Sequence, residues 1–585
     1  MTKNAPFVLF DDAQMQAEAR LYVDPVRIIT CSDPQQIAQT LAQLDKALDD
    51  GFHVAGYLAY ELGYLLEDKL ATLLPKDRDQ PLIWFGVFKA AQKLSLAEVT
   101  ALMDDWASQP HNISPPKAAL NKDTYLNNIQ TIQDHIRAGD VYQINYTFQQ
   151  SFQHSGSPKA LYAQLRGRQR AKFGAMIRTE DQHILSLSPE LFYEAKDGTA
   201  RTRPMKGTAP RAPRPTADKD IRHWLCHDEK SKAENLMIVD LLRNDLSRIS
   251  QIGSVKVTDL FTVETYPTLH QMTSTIESQL APDTPFSKII QALFPCGSVT
   301  GAPKVKAMEI IKALETEPRG VYTGAIGYAS AQDGMRFNVA IRTLTLDPDG
   351  TGKMGIGSAI VYDSKAPDEW TECHLKANFV TDPEQAPFAL LETLKWTSNQ
   401  GFVLLDRHLE RLQDTADYFG YPIDINAVKQ SLKTAVSGNQ GLRVRLTLSA
   451  DGEVDVTTQP LPICAEMTYT VSDQTVNPDS PFTYHKTTNR AFYDEARAAQ
   501  AADEVLFLNA GGNLCEGSIT NIFVEKDGQL LTPPVSEGIL PGTLRGELLA
   551  TGQAVEASLT LNDLNPPNTV YLGNSVRGLV KARPL

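Results

Sequence analysis

An acid and an amine are predicted to meet at the base of a β-hairpin. The dipeptide Asp197-Gly198 is preferred in two-residue type I′ turns, and it joins two short runs with the composition of strands. Continuing that register places Glu190 opposite Met205 and therefore beside Lys206. A neutral lysine amine is a nucleophile and a protonated carboxyl is a general acid, so the pair suits covalent catalysis. The alternative interpretation is a surface ion pair.

Three glutamates are candidates for a metal site. Glu369 and Glu372 are three residues apart in a predicted helix that begins near Pro367, so they share one face. Glu234 lies in a second predicted helix, residues 229–249. Carboxylates without nearby His or Cys suit a hard cation such as Mg2+, which often bridges to an anionic substrate. The alternative is a solvated helix face.

A second group of chemical residues lies in the last third of the chain. Lys486 and Glu516 flank a predicted strand, residues 504–509, and a glycine-containing segment at residues 538–545 opens a helix. The first N–H groups of such a helix point outward and favour phosphate. A simple capped turn is the alternative for this segment.

Other elements must hold these residues in place. Leu126, Ile129, Ile132 and Ile136 form a helical stripe that Gly139 ends. Residues 143–148 then alternate between polar and apolar, which predicts a half-buried strand with one polar face. Residues 209–215 hold three prolines and are predicted to be a loop.

Length and composition limit the architecture and the class of function. A chain of 585 residues exceeds one hydrophobic core, so we expect two domains, 1–381 and 388–585, joined by a proline-containing linker at 382–387. A net charge of −14 disfavours a nucleic-acid-binding protein. No apolar run approaches a membrane span, no secretory signal is apparent, and the six cysteines form no CxxC pair. We therefore expect a cytoplasmic protein with reduced thiols and no membrane partner.

The first domain resembles the chorismate-utilising enzymes, the family of anthranilate synthase and aminodeoxychorismate synthase component I. The resemblance implies an α+β fold of antiparallel sheets with flanking helices. Seven segments carry it in chain order: Gly139–Asn145, Ser186–Glu190, Pro204–Thr208, Ala233–Asp245, Phe294–Lys304, Ala340–Thr343 and Ile360–Ser364, together with Glu372.

The same resemblance implies a site for chorismate. It implies Mg2+ held by Glu234 and Glu372, with Glu369 close by, against one carboxylate of the substrate. Further residues would contact the substrate: Arg342 and Tyr328 on the other carboxylate, backbone near Gly357, and Thr300, His270 and Lys376 along the wall. A planar guanidinium such as that of Arg342 suits bidentate binding of a carboxylate.

Lys206 narrows the expected reaction. Lysine at this position looks like aminodeoxychorismate synthase, whereas anthranilate synthases tend to have alanine. The amine would attack carbon 2 while Glu190 protonates the departing hydroxyl, and ammonia would then enter at carbon 4. Gln143 fits, since isochorismate- and salicylate-forming relatives have lysine there. Two residues depart from the family pattern. Ser231 stands where many relatives have a second carboxylate, which bears on metal affinity, and Ala359 replaces a glycine, which bears on contact between backbone and substrate.

The second domain resembles fold-type-IV pyridoxal-phosphate enzymes, which include aminodeoxychorismate lyase and the branched-chain and D-amino acid aminotransferases. The resemblance implies a two-subdomain α/β fold with the cofactor attached to Lys486 and Glu516 on its ring nitrogen. Phosphate contacts would come from Arg411, the backbone at Thr543 and Leu544, and the turn at Asn574 and Ser575.

These expectations combine into a bifunctional enzyme that makes 4-aminobenzoate on the folate path. Ammonia would come from a separate glutamine amidotransferase subunit, since neither domain contains a recognisable nucleophilic-cysteine module. Type-IV relatives are typically dimers, so a homodimer through the second domain is an open expectation. The alternatives are an anthranilate-forming first domain, an aminotransferase as the second domain, and a catalytically inactive scaffold in either place.

Overall fold

The computed structural model of the chain describes residues 5–14, 17–266, 269–381 and 387–585. The packing divides the chain into two compact units. Unit 1 is Met1–Ala209 with Leu225–Glu384, and unit 2 is Pro210–Trp224 with Gln385–Leu585. The segment 210–224, which sequence alone assigned to the first domain, thus groups with the second. The predicted linker at 382–387 lies outside the described residues except for Pro387.

Helices occur throughout both units. In chain order they are α1 (Ile37–Asp49), α2 (Leu96–Ala107), α3 (Lys122–Arg137), α4 (Pro158–Gln169), α5 (Pro215–His227), α6 (Glu229–Ser247), α7 (Phe286–Leu293), α8 (Lys304–Leu314), α9 (Ala366–Ala377), α10 (Leu405–Phe419), α11 (Ile425–Ala435), α12 (Ala491–Ala498) and α13 (Thr543–Ala550).

The strands of unit 1 are numbered β1 to β21. They are β1 (Phe7–Asp11), β2 (Ala19–Val23), β3 (Arg27–Cys31), β4 (His53–Leu58), β5 (Ile83–Phe88), β6 (Gln92–Leu94), β7 (His111–Ile113), β8 (Lys117–Ala118), β9 (Gln143–Gly156), β10 (Phe173–Arg178), β11 (His183–Ser188), β12 (Leu191–Lys196), β13 (Thr199–Arg203), β14 (Met205–Pro210), β15 (Lys256–Thr265), β16 (Leu269–Gln279), β17 (Gly301–Ala302), β18 (Ala325–Ser330), β19 (Gly334–Val339), β20 (Thr343–Leu346) and β21 (Thr351–Ile360).

Unit 1 contains two large sheets. One has the order β17-β9-β21-β20-β11-β10-β1-β2-β6, and the other has the order β14-β16-β13-β12-β19-β18-β4-β5-β3. A buried cluster draws Val8, Tyr22 and Ile177 from the first sheet and Tyr57 and Ile326 from the second, so the sheets pack face to face. The fold expectation of sheets with flanking helices is confirmed for this unit.

The predicted hairpin is present, but its register changes. Asp197 and Gly198 both have positive φ, 50° and 77°, as a type I′ turn requires. The pairing slips between Glu194 and Leu191, and Leu191 then faces Arg203. A bulge of this kind adds one residue to one strand, so the uniform register predicted from the turn is wrong at the base of the hairpin.

Strand β9 also departs from its prediction. Its alternation predicted one polar, solvated face, yet Gln143, Asn145 and Thr147 are all buried. Distant segments enclose this strand. Glu315, just after α8, accepts from the backbone N–H of Thr147 (2.9 Å), and the backbone of Asn145 and Gln143 pairs with the segment Thr300–Ala302.

The strands of unit 2 are numbered β22 to β33. They are β22 (Leu390–Thr397), β23 (Gly401–Phe402), β24 (Leu442–Leu448), β25 (Val454–Pro460), β26 (Glu466–Thr475), β27 (Glu504–Leu508), β28 (Leu514–Gly517), β29 (Asn521–Lys526), β30 (Gln529–Thr532), β31 (Val555–Glu556), β32 (Thr569–Asn574) and β33 (Gly578–Pro584).

Unit 2 is built around two separate sheets, as the two-subdomain expectation requires. The smaller is antiparallel with the order β23-β22-β24-β25, and α10 and α11 pack on it. The larger, β28-β27-β26-β33-β32-β29-β30-β31, is mixed, with parallel pairs on both sides of β26. In the described part of the chain no helix is both long and apolar enough to span a membrane. All six cysteines are free thiols.

Candidate active sites

Lys206 is held in place through its backbone. Its carbonyl accepts a hydrogen bond from Asn235 Nδ2 (3.4 Å), and the next carbonyl, of Gly207, accepts one from Gln271 Nε2 (2.9 Å). Gly207 has a φ of +89°, and a Cβ there would lie 2.9 Å from Cβ of Ser231. Only glycine fits this position, so strand β14 passes close to the start of α6 just beyond the lysine.

Glu190 lies in the short connection between β11 and β12 and is only 4% exposed. Its carbonyl accepts from the backbone N–H of Val339, and its own N–H donates to Ser188 Oγ (3.2 Å). Its carboxyl accepts a 2.6 Å hydrogen bond from Ser298 Oγ. Burial raises the pKa of Glu190 to about 7, while Ser298 and the charge of Lys206 act in the opposite direction.

Glu190 and Lys206 lie in one neighbourhood despite the slipped register, since the charge of each acts on the pKa of the other, but among the described residues no ion pair within 4.0 Å joins them. Burial lowers the pKa of Lys206, partly opposed by the charges of Glu190 and Glu234. The backbone N–H of Met205 also interacts with the Glu190 carboxyl. Both shifts favour the uncharged forms, which are a neutral amine and a protonated acid, and these are the forms a nucleophile and a general acid need. A surface ion pair would show neither burial nor these shifts.

Ser298 was not among the predicted site residues. It lies in a buried turn after Cys296, and Arg319 fixes this segment by donating to the carbonyl of Val299 (2.9 Å). Thr300, one of the predicted residues, donates to the carbonyl of Cys296 (2.8 Å) and is fully buried. A hydroxyl in a glycine-containing turn is the only sequence signal that pointed to Ser298, and it is weak without the tertiary contact.

The three predicted metal-binding glutamates lie near one another. Glu234 in α6 has its pKa raised first by burial and also by the charges of Glu369 and Glu372 in α9. Glu372 forms a 2.7 Å ion pair with Lys376, which also donates to the carbonyl of Gly357 (3.0 Å). Burial acts to raise the pKa of Glu372, but Lys376 outweighs it and the net pKa is lowered.

The donor set fits Mg2+ only in part. Across residues 5–14, 17–266, 269–381 and 387–585, no three or more His, Cys, Asp or Glu side chains converge closely enough to hold a metal ion. Two carboxylates, Glu234 and Glu372, can still hold Mg2+, which commonly keeps several waters and takes further oxygens from its substrate. The carboxylates present therefore suit a cation that arrives with an anionic ligand.

Gln143 supplies an independent sign of a polar ligand. Its side chain is fully buried, and neither its Nε2 nor its Oε1 has a hydrogen-bond partner among the described residues. Buried amides are rarely left unsatisfied, because the cost is about 1–3 kcal/mol for each group. The residue is next to the Thr300 segment through the pairing of β9 with β17.

The other residues predicted to contact the substrate do not all lie near Glu190 and Lys206. Arg342 donates to Gln169 Oε1, and the charges of both Arg342 and Glu190 act on Tyr266, so the two lie in one neighbourhood. His270 is buried on β16, with Nδ1 3.1 Å from Thr265 Oγ1. Tyr328 lies elsewhere. Its ring is covered by Arg20 and lines a cavity that contains none of the other predicted residues.

Unit 2 contains a cavity of about 340 Å³, within the usual size of a ligand pocket. Every residue predicted for the second site lines it, except Leu544, which follows Thr543 in α13. The lining residues used below are Arg411, Arg443, Arg490, Lys486, Tyr493, Arg497, Glu516, Thr543, Asn574, Ser575 and Arg577.

Lys486 and Glu516 are the chemical pair of this cavity. Burial, together with the charges of Arg490 and Arg411, lowers the pKa of Lys486 to about 7. Burial raises the pKa of Glu516 to about 7, although Tyr493 donates to its Oε1 (2.8 Å) and the backbone of Leu540 to its Oε2 (3.0 Å). The amine is therefore available as a base, and the carboxyl is placed to meet a positively charged ring nitrogen.

The side chain of Arg411 is held in place by Glu392, a residue that was not among the predicted site residues. Its Nε and Nη2 donate to Glu392 at 2.8 and 2.7 Å, and its Nη1 donates to the carbonyl of Pro541 (3.1 Å). Although burial acts to raise it, the pKa of Glu392 is lowered to about 2 by Arg411 and His408. Three of the five guanidinium N–H bonds are used, so two are left for a ligand in the cavity.

His408 extends this network to two hydroxyls. Its Nδ1 is 2.6 Å from Glu392 Oε2, and because that carboxylate is ionised, Nδ1 carries the ring proton. Its Nε2 is then an acceptor with one lone pair and lies within hydrogen-bond distance of two hydroxyls, Ser575 Oγ (2.9 Å) and Thr543 Oγ1 (3.2 Å). Helix α13 begins at Thr543, and its N-cap Gly542 makes no side-chain cap, which leaves the first N–H groups for an anion.

These residues fit pyridoxal phosphate on the chemistry of the donor set. Arg411, the start of α13 and Ser575 form an anion-binding end, and Lys486 and Glu516 supply the amine and the acid that a pyridine aldehyde requires. Asn574 shapes the turn, since its Oδ1 accepts from the backbone N–H groups of Val576 (3.1 Å) and Arg577 (3.0 Å).

Comparisons with known proteins give a family match for each part of the chain. The family described as chorismate binding enzyme matches residues 5–382, and the family described as amino-transferase class IV matches residues 389–584. Since the first match covers more than half of the chain, the chain belongs to the chorismate-binding enzymes.

Two curated relatives are aminodeoxychorismate synthase component 1 proteins. That of Escherichia coli is 40% identical over 288 residues, 49% of this chain and 61% of the relative. That of Bacillus subtilis is 36% identical over 353 residues, 55% of this chain and 74% of the relative. This chain thus spans only about three-fifths of the length of the Escherichia coli relative.

A solved structure supports the fold of unit 1. Anthranilate synthase component I from Streptococcus pneumoniae is 26% identical, with a TM-score of 0.52, over 65% of this chain and 93% of that chain.

Proposed function

We propose that the chain makes 4-aminobenzoate in two reactions, each carried out by one unit. Unit 1 aminates chorismate to 4-amino-4-deoxychorismate, and unit 2 eliminates pyruvate from that product. The names of the curated relatives support the first reaction, and the second-site residues, together with the class IV match, support the second.

The first reaction begins with Lys206 and Glu190. The neutral amine of Lys206 attacks carbon 2 of chorismate, both double bonds of the cyclohexadiene ring shift by one position, and the bond from carbon 4 to its hydroxyl breaks. Glu190 gives its proton to that hydroxyl, so the leaving group is water. The buried, Ser298-bonded carboxyl with a pKa of about 7 is the observation that carries this step, because an ordinary glutamate would hold no proton to give near neutral pH.

Ammonia completes the amination. It attacks carbon 4, both ring double bonds shift back, and the bond from carbon 2 to Lys206 breaks, which releases the neutral amine. The new ammonium group on carbon 4 gives its extra proton to the Glu190 carboxylate, so both residues return to their starting forms. We propose that a separate glutamine amidotransferase subunit supplies the ammonia and that free ammonium replaces it in vitro. Glu234 and Glu372 would hold Mg2+, which would neutralise a carboxylate of chorismate while the ring carries the developing charge.

The second reaction uses the residues of the unit 2 cavity. Pyridoxal phosphate, when bound, supplies an electron sink for the carbon that loses a proton. Arg411, the start of α13 and Ser575 would hold its phosphate, and Glu516 would serve its ring nitrogen. The amine of Lys486 removes the proton from carbon 4 of the substrate. The bond from carbon 3 to the enolpyruvyl oxygen then breaks, and pyruvate and aromatic 4-aminobenzoate result.

One product assay tests both halves. The purified chain receives chorismate, Mg2+ and ammonium, with and without pyridoxal phosphate. We expect 4-aminobenzoate and pyruvate with the cofactor, and 4-amino-4-deoxychorismate without it. Accumulated anthranilate would overturn the first half, and keto-acid-dependent amino transfer without pyruvate release would overturn the second.

A further inference from the structure

The unit 2 cavity holds more positive charge than a phosphate needs. Four of its arginines, Arg443, Arg445, Arg497 and Arg577, have no part in the network around Glu392, and Arg490 is already engaged with Asp494 (3.4 Å) and the carbonyl of Ser518 (2.6 Å). The acids among the lining residues are Asp494 and Glu516 alone. The cavity is therefore strongly cationic in a protein whose net charge is −14.

Three of these arginines form a guanidinium cluster, which we define as Arg443, Arg497 and Arg577. All three line the cavity. Burial lowers the pKa of Arg577, and the charges of Arg497 and Arg443 lower it further while Glu504 acts in the opposite direction, so Arg577 lies near both of the other arginines. Like charges repel when they are partly removed from water, so this arrangement costs stability unless an anion joins it.

Each arginine is directed to the cavity by its own element. In β24 the side chains of Val444 and Leu446 are buried in the core, which places Arg443 on the opposite face of the strand. Arg497 lies one helical turn after Tyr493 in α12, and both line the cavity. Arg577 follows the turn that Asn574 fixes through the N–H of Arg577 itself (3.0 Å).

The nearest acids are occupied by other donors. Asp503 accepts from the backbone N–H and the Oγ1 of Thr468 at 2.8 and 2.9 Å. Glu504 accepts from the N–H of Ile519 (3.2 Å) and from two hydroxyls. Among the described residues no acid forms an ion pair with the cluster, and Arg443 donates a hydrogen bond to the neutral side-chain amide of Gln459.

We infer that the guanidinium cluster is the subsite for the carboxylates of the amine substrate and that it selects dicarboxylate amines over monocarboxylate amines. This inference rests on the proposed function, whose intermediate carries two carboxylates, one on the ring and one on the enolpyruvyl group. Three guanidinium groups provide at least one bidentate partner for each of the two carboxylates, and they are separate from Arg411, which would serve the phosphate.

Binding of unreactive probes tests the cluster without any turnover. 3-(Carboxymethoxy)benzoate has two carboxylates, and 3-methoxybenzoate keeps the ring and the ether but only one. Calorimetry on the cofactor-loaded chain should give a dissociation constant about tenfold or more lower for the dicarboxylate, as one extra charge-assisted hydrogen-bonded pair implies. Equal affinity for the two probes would overturn the inference.

Variants then locate the effect. Arg443→Gln, Arg497→Gln and Arg577→Gln should each weaken binding of the dicarboxylate about tenfold and raise the KM for 4-amino-4-deoxychorismate. The visible spectrum of the bound cofactor should not change. Arg583→Gln, on an exposed strand where the arginine pairs with Glu466, is the matched control and should leave both values unchanged.

The two proposals fail in different ways. A chain that releases no pyruvate from 4-amino-4-deoxychorismate contradicts the proposed function, whatever the probes show. A chain that releases pyruvate while all three variants bind the dicarboxylate probe as the wild type does contradicts the subsite alone.

Discussion

The hydroxyl of Ser298 donates a 2.6 Å hydrogen bond to Oε1 of Glu190, and both residues are almost completely buried. The bond stabilises the carboxylate form, whereas burial favours the protonated form, and burial wins because the pKa of Glu190 rises to about 7. Ser298 thus keeps a buried acid within the range where it can exchange its proton near neutral pH.

Removing this hydroxyl should move the pH profile of amination. At a fixed concentration of free ammonia, the rate should fall above about pH 7 as Glu190 loses the proton it must donate. In Ser298→Ala the carboxylate loses a donor, so its pKa rises and the falling limb should move up by about one pH unit. Exposed Ser108→Ala is the control, and a limb that stays in place in Ser298→Ala would show that Glu190 is not the titrating acid.

Mg2+ should matter for the first reaction alone. Chelation with EDTA should abolish amination of chorismate and leave release of pyruvate from added 4-amino-4-deoxychorismate unchanged, because the glutamates concerned lie in unit 1. Glu372→Gln should raise the Mg2+ concentration needed for half-maximal amination about tenfold or more, following the loss of one carboxylate ligand. Exposed Glu229→Gln, on the same helix as Glu234, should behave as the wild type, and full amination in EDTA would refute the metal assignment.

Substitution of Lys486 should abolish the second reaction and leave the first unchanged. Lys486→Ala should lose both the visible absorbance of bound pyridoxal phosphate and pyruvate release, and should continue to aminate chorismate. In the proposed reaction its amine, with a pKa of about 7, carries the proton from carbon 4. Lys581→Ala, exposed on β33, is the control. Undiminished pyruvate release in Lys486→Ala would contradict the second reaction as described.

Glu392 should determine how tightly the phosphate group is held. Glu392→Gln removes the charge that orients Arg411 and His408, and a buried cation left without its partner is strongly destabilising, by about 3–5 kcal/mol. We expect the dissociation constant for pyridoxal phosphate to rise about tenfold or more in a spectroscopic titration. Exposed Glu410→Gln, next to Arg411 in α10, should not change it. Unaltered affinity in Glu392→Gln would mean that the network does not serve the phosphate.

Local pattern predicted much of the architecture. The Asp197-Gly198 turn, the helix over Glu234 and the strand before Glu516 are present because each depends on residues close in sequence. The register at the hairpin base was wrong because a bulge is set by the neighbouring strand β19, which also shifts its pairing there. The burial of Gln143 and Asn145 likewise depends on the distant Thr300 segment.

Sequence predicted those site residues that lie in recognisable motifs, and it did not predict residues that act only through a tertiary contact. Lys206, Glu190, Lys486 and Glu516 were predicted as pairs, and the structure places the members of each pair in one neighbourhood. Ser298 and Glu392 were missed because each acts on another side chain across more than fifteen residues of sequence. The role predicted for Tyr328 toward chorismate stays a prediction: its ring packs against Arg20 and lines a cavity that contains no other predicted residue.

The central claim is that Lys206 forms a temporary covalent bond to the ring of chorismate. The most direct measurement is peptide mass spectrometry of the chain after incubation with chorismate and Mg2+ without ammonia. We predict an adduct with the mass of chorismate less one water on the peptide that contains Lys206, and neither adduct nor 4-amino-4-deoxychorismate in Lys206→Ala. Amination at wild-type rate by Lys206→Ala would contradict the account.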